Sequence, residues 1–257
     1  MTVTILIPAR YASSRYPGKP LVMLKGKDGA KSLIQRTWET GMAVSGVDRV
    51  LVATDDDRIA EAVAAFGGEV VMTSEDCRNG TERCADAMAR LGGPQEIVVN
   101  LQGDAPLTPP WFVEDLIAGL RARPDMGVAT PVLRCDPETY ARFREDRRAG
   151  RVGGTTAVFT RQMAALYFSK EVIPFLPYPD VPEPPVFHHV GVYAYRPSAL
   201  EAYVGWDPGH LETNEGLEQL RFLENGEGIL CVEVEGRGRV FWELNNPVDV
   251  ARIESVL

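Results

Sequence analysis

The chain has 257 residues, 45% of them hydrophobic, with 36 acidic against 27 basic side chains and a formal net charge of -9. That length and apolar share suit one large α/β domain or two small ones, and the negative balance argues against nucleic acid or an acidic membrane as partner. Cys77, Cys84, Cys135 and Cys231 form no CxxC pair, no N-terminal stretch resembles a signal peptide and no apolar run approaches a membrane span, so a cytoplasmic protein with reduced thiols is expected.

In chain order, TVTILIP (2–8), RVLVAT (49–54), GEVVMT (68–73) and EIVVNLQ (96–102) are short apolar runs rich in β-branched residues and read as strands. SLIQRTWETGMAV (32–44), DRIAEAVAAFG (57–67) and TERCADAMARLG (81–92) lie between them with helical spacing. Strand and helix alternating at this pitch imply an α/β fold: a doubly wound, mainly parallel, Rossmann-like sheet with helices on both faces. Ligands of such sheets bind beyond the carboxyl ends of the strands. Residues 8–19, 54–56, 73–80 and 102–104 are therefore expected at one rim. Further on come a helix at 111–123, a strand at 127–133, a proline-rich stretch, a strand HHVGVYAYR (188–196) and a helix LETNEGLEQLRFLENG (211–226), then two strand-like runs and a terminal helix. No linker or repeat divides the chain, so residues 1–257 read as one domain.

The first rim loop reverses the overall charge. Residues 1 to 36 hold Arg10, Arg15, Lys19, Lys25, Lys27, Lys31 and Arg36 against Asp28 alone. No GxGxxG follows the first strand, and GKDGAKS (26–32) imitates a P-loop but has Ala30 where a glycine belongs. What remains is a small-residue loop with long cations that can reach several oxygens of one anion. QGDAP (102–106) ends the fourth strand with a carboxylate at the same rim. Asp104 opposite a phosphate-binding loop supplies what Mg²⁺ needs, since that ion takes one or two carboxylates together with phosphate oxygens and water.

IPARYASSRYPGKPL, VATDDDRIAEA, NGTERCADA, NLQGDAPL, ALYFSK, HHVGVYAYR and EGLEQLRFLENG, in that order and over nearly the whole chain, resemble the CMP-Kdo synthetase family (3-deoxy-manno-octulosonate, or Kdo, cytidylyltransferase). The resemblance implies a homodimeric enzyme that uses Mg²⁺ to convert CTP and a 3-deoxy-2-ulosonic acid into a CMP-sugar and pyrophosphate, for lipopolysaccharide or capsule synthesis. It also implies a smaller β-rich portion, about residues 140–200, for sugar binding and dimerisation. Carried over by position, Arg10, Arg15 and Lys19 would hold the triphosphate, and Ala9, Thr81 and Gln102 the cytidine. Asp104 would bind the metal and act in catalysis with Arg10 and Lys19. His189, Tyr193, Glu218 and Gln219 match the sugar-binding positions.

The pattern fails in places. The family's second metal carboxylate lies in a VDTPEDL-like string, where this chain has LNNPVDV and so Asn245; Asp249 matches a later acidic position. Asn245 offers the metal a neutral carbonyl in place of a charge. Ala105, Cys77, Arg78, Thr156 and Lys170 also depart from the family's usual residues, mostly on the acceptor side. Two readings follow: an active cytidylyltransferase for Kdo or a related ulosonic acid, and a catalytically impaired paralogue that binds CTP or a CMP-sugar as a sensor or assembly partner.

Overall fold

The computed structural model describes residues 2–12, 16–152, 154–177, 181–239 and 242–257. Its N-terminal part is built from β1 (Thr2–Ala9), a hairpin of β2 (Met23–Gly26) and β3 (Gly29–Ser32), α1 (Leu33–Met42), β4 (Arg49–Thr54), α2 (Asp57–Ala65), β5 (Glu69–Met72), α3 (Gly80–Leu91) and β6 (Gln95–Leu101). Next come α4 (Pro110–Ala122), β7 (Val128–Arg134), α5 (Pro137–Arg148), β8 (Thr155–Phe159), β9 (Ala165–Ser169), β10 (Phe187–His189) and β11 (Val192–Tyr195). The chain closes with α6 (Pro197–Val204), α7 (His210–Glu215), α8 (Leu220–Glu224), β12 (Ile229–Glu233) and α9 (Asp249–Glu254). Among the described residues, no helix is long and apolar enough to cross a membrane.

The principal sheet runs β5-β4-β1-β6-β11-β7-β10-β8-β9, with β12 also paired to β7. The β5-β4-β1-β6 half is parallel, as is β12 on β7, whereas the pairings of β8, β9, β10 and β11 are antiparallel. Strand residues alternate between two core layers. Ile5 and Ile7 of β1 with Val99 and Leu101 of β6 face α1, α2 and α4, and Leu6 and Val98 face α3, α6 and α8. Burial on both faces is why these strands read as continuous apolar runs.

The P-loop lookalike at 26–32, rejected from its sequence, is the β2–β3 turn and second strand, paired antiparallel from Met23 with Ser32 to Gly26 with Gly29. Two expectations from the sequence are corrected. The run 188–196 is two strands: the Val192 amide turns back to the Val190 carbonyl at 2.7 Å, so β10 joins β7 and β8 while β11 inserts between β6 and β7. The run 211–226 is two short helices, because Gly216 adopts φ +60, a left-handed C-cap that stops α7. Glu218 and Gln219 lie in the turn so created.

Candidate active site

Parallel pairing brings the ends of neighbouring strands together. Ala9 sits opposite Thr54, and Leu6 opposite Asn100, which aligns Pro8 and Ala9 with Gln102 and Gly103. The two turns nearly touch. A Cβ on Gly103 would lie 2.6 Å from the Pro8 carbonyl oxygen, so only glycine permits this approach. Between them opens a cavity of ≈ 220 Å³, bounded by Ala9 at the end of β1 and Arg10 after it, Lys19, Asn79 and Gly80 at the start of α3, and Gln102 to Asp104 after β6.

Cation and carboxylate meet at this cavity. Lys19 Nζ lies 2.6 Å from Asp104 Oδ2, although the residues are 85 apart in the chain. Gly18, at φ +70, turns the chain into the helical turn Lys19–Leu21, and its amide donates to the Tyr11 carbonyl at 2.9 Å. The loop is fixed from outside as well, because the Arg58 guanidinium stacks 3.3 Å over the Tyr11 ring. Arg10 is exposed on the cavity wall; Arg15 lies outside the described residues.

The opposite wall is the start of α3, where the Asn79 side chain caps the Glu82 amide at 2.8 Å. A helix start favours an anion through its unpaired amides and its dipole. Arg83 also lines the cavity. It is buried, and its guanidinium donates to Thr73 Oγ1 and, at 3.0 Å, to Asp55 Oδ2, which fastens three rim loops to one another. Thr81 is placed differently from its neighbours: its side chain is absent from the lining, and its hydroxyl pairs with Tyr195 at 2.9 Å in the core.

The four expected sugar-binding residues form a second cluster beside the first. The Tyr193 hydroxyl donates to Gln219 Oε1 at 3.1 Å, and Glu218 Oε2 accepts the Thr81 amide at 3.3 Å. Burial raises the Glu218 carboxyl to about 7, opposed by the amides of Thr81 and Gly80. His189 packs against the Tyr193 ring, with its Nε2 3.0 Å from Thr130 Oγ1; burial lowers it to about 3, so it works as a neutral ring. The two clusters join over Gly80. A Cβ there would lie 3.0 Å from Gln102 Nε2, 3.1 Å from Asn100 Nδ2 and 3.4 Å from Glu218 Oε1.

Asn245 is brought to the rim by its neighbour, since the Leu244 amide donates to the Asp104 carbonyl at 2.8 Å. Asp249 is spent on structure: its carboxylate accepts the amides of Asn245 and Asn246 and the Trp242 indole. Glu243 is the carboxylate that sequence reasoning missed. Its Oε2 lies 3.4 Å from Asn245 Nδ2, and its Oε1 3.4 Å from where a Gly191 Cβ would stand. Among the described residues, no group of three or more His, Cys, Asp or Glu is gathered to hold a metal. On the acceptor side, the Thr156 hydroxyl donates to the Glu171 carbonyl at 2.7 Å and accepts the Ile173 amide, a structural tie. Lys170 remains near the cluster, its Nζ 3.0 Å from where a Gly216 Cβ would stand.

Arg83 had a readable signal, because a cation in the first turns of a helix opposes the dipole and needs an anionic partner. Glu243 had none, since its place depends on how residues 242–245 dock.

Comparison with known proteins shows the family and the fold. The cytidylyltransferase family model matches residues 4–229. The 3-deoxy-manno-octulosonate cytidylyltransferase of Maricaulis maris is 51% identical over 257 residues, covering 100% of this chain and 97% of that protein. An 8-amino-3,8-dideoxy-manno-octulosonate cytidylyltransferase of Shewanella amazonensis is 40% identical over 259 residues, covering 100% and 99%. Among solved structures, CMP:2-keto-3-deoxy-manno-octonic acid synthetase complexed with CTP superposes with a TM-score of 0.85 at 35% identity, covering 99% of this chain and 98% of that one.

Proposed function

The chain belongs to the cytidylyltransferase family, and from that premise we propose that it transfers CMP from CTP to the anomeric hydroxyl of Kdo, releasing pyrophosphate. The observation that carries this reading is the meeting of Lys19 and Asp104 at the mouth of one cavity, 2.6 Å apart. Arg10 and Lys19 hold the triphosphate, joined on the sequence argument by Arg15. Ala9 and Gln102 border the cytidine, and Arg83 keeps the rim loops in place. The anomeric oxygen attacks the α-phosphorus while pyrophosphate departs, and cations fixed beforehand lower the barrier because they meet the growing charge without reorganising. Glu218, raised to about 7, is half-ionised near neutrality and can share a proton with an acceptor hydroxyl. His189, neutral, offers a hydrogen bond without a charge.

Mg²⁺ suits the donors present: the Asp104 carboxylate, the Asn245 carbonyl and Glu243 on the same segment are hard oxygens, too few to enclose an ion and so compatible with one shared with phosphates. Bound there, it would neutralise the charge on the transferring phosphate and the departing pyrophosphate. The protein is further proposed to act as a homodimer through its 140–200 portion, where Leu166 on the edge strand β9 and Phe175 are 61% and 86% exposed.

The test is pyrophosphate release from CTP with Kdo, 8-amino-3,8-dideoxy-manno-octulosonate and related ulosonic acids, with Mg²⁺ or Mn²⁺. Turnover with Kdo is expected to be fastest. CTP binding without turnover on any acceptor would instead favour a nucleotide-binding sensor, the role that the altered acceptor half and Asn245 would suit.

A further inference from the structure

Asn100 has no place in the account so far. Its strand is otherwise built for the core: Ile97, Val99 and Leu101 fill one apolar layer and Val98 the other. Asn100 points the same way as Val98, wholly buried, yet neither its Nδ2 nor its Oδ1 has a hydrogen-bond partner among the described residues. An unpaired buried amide costs free energy, and an aliphatic side chain of similar volume would remove that cost. The fold alone gives no reason for an amide here.

Its surroundings do. Asn100 is directly opposite Tyr193 in the β6–β11 pairing, so the two side chains share a face. Tyr193 donates to Gln219, whose own Nε2 is likewise buried without a partner. The Asn100 amide and the Glu218 carboxylate close over the same point above Gly80, at 3.1 and 3.4 Å, with Gln102 Nε2 at 3.0 Å from the nucleotide side. Unpaired amide groups from two elements therefore stand where the nucleotide and acceptor clusters meet.

We propose that Asn100 is a positioning residue for the acceptor: its Nδ2, without a partner in the free protein, takes up the neighbouring Glu218 carboxylate when the ulosonic acid binds and so orients that acid against the nucleotide. The inference rests on the proposed function, and it separates acceptor binding from CTP binding. Asn100→Leu keeps the volume and removes the polarity; Asn100→Asp keeps the shape and sets a second carboxylate beside Glu218. The experiment measures Kd for CTP by calorimetry, KM for Kdo by pyrophosphate release, and Tm.

For both variants, KM for Kdo should rise at least about tenfold while Kd for CTP stays within about twofold. Tm of Asn100→Leu should match or exceed that of the wild type, which a structural amide would not allow. An unchanged KM in both variants would overturn the proposal, as would a lowered Tm with CTP affinity falling in parallel. If Asn100→Leu does not fold, Asn100→Asp alone decides by the same KM. Wild-type turnover is measured first: should no ulosonic acid be turned over, the functional reading fails and this inference with it, whereas an active wild type with unchanged variants overturns only the role of Asn100.

Discussion

Lys19 reaches the rim from the loop after β1, and its proposed partners are the outer phosphates. Lys19→Ala should therefore weaken CTP by about 1.5–3 kcal/mol, the usual worth of a hydrogen bond to a charged group, and leave CMP nearly unchanged; calorimetry with both nucleotides distinguishes this from a general loss of the pocket. Asn245 argues the converse case, a missing charge. Asn245→Asp should tighten Mn²⁺ binding in the presence of CTP, read from the Mn²⁺ resonance signal, because a carboxylate replaces a neutral carbonyl beside Asp104. An unaltered affinity would place residue 245 away from the ion. Glu218 links the site to stability. Its carboxyl is raised by burial from 4.5 to about 7, so the folded state keeps a proton that the unfolded chain has already lost. This contribution is full below about pH 4.5 and is lost as pH rises through 7, up to about 3 kcal/mol. Urea unfolding at pH 5 and pH 8 should show the wild type losing stability relative to Glu218→Gln; parallel behaviour of the two would mean the carboxyl is not held from water.

The short helices α7 and α8 hold their turn through one side chain. Arg221 is 1% exposed; its guanidinium donates twice to Glu212 at 2.7 Å, reaches Glu82 of α3 at 3.1 Å and stacks 4.1 Å from the Tyr203 ring of α6. Removing it strands the Glu212 carboxylate in the interior, while Glu82 keeps Arg78. Arg221→Ala should cost about 3–5 kcal/mol, seen as a Tm lower by about 10 °C, and Arg221→Lys should not recover it because one ammonium cannot reproduce the fork. At this scale the sequence was most legible where burial is two-sided. The run 49–54 is β4 residue for residue, and 111–123 is α4 shifted by one. It misled at 211–226 because apolar spacing continues across Gly216, and only the backbone reveals the reversal there. The strands β8 and β9 fall in the portion that the resemblance marked as β-rich, but periodicity did not delimit them, since their weak alternation acquires meaning only from the sheet they extend. The site divides in the same way. Lys19 and Asp104 follow from the rule that parallel strands end at one rim, whereas Asn100 and Glu243 owe their places to the docking of β11 and of residues 242–245, which no local pattern encodes.

Across the whole molecule, one sheet carries the cavity in its parallel half and ends at β9 in its antiparallel half, where Ala164, just before the strand, bridges to Leu230 of β12. Beyond that bridge, the exposed Leu166 invites a second copy. Leu166→Lys should shift the light-scattering mass from dimer toward monomer, and an unmoved mass would direct the interface elsewhere. The close Lys19–Asp104 contact described above bears on timing. Each charge already satisfies the other, so a divalent ion offered by itself must compete with the ammonium for its carboxylate. A triphosphate draws the ammonium away and brings oxygens of its own. Loading should therefore be concerted: Mn²⁺ titrated into nucleotide-free protein is held weakly, the ion enters as a CTP complex, and the sugar acid joins a machine that only that first arrival has armed.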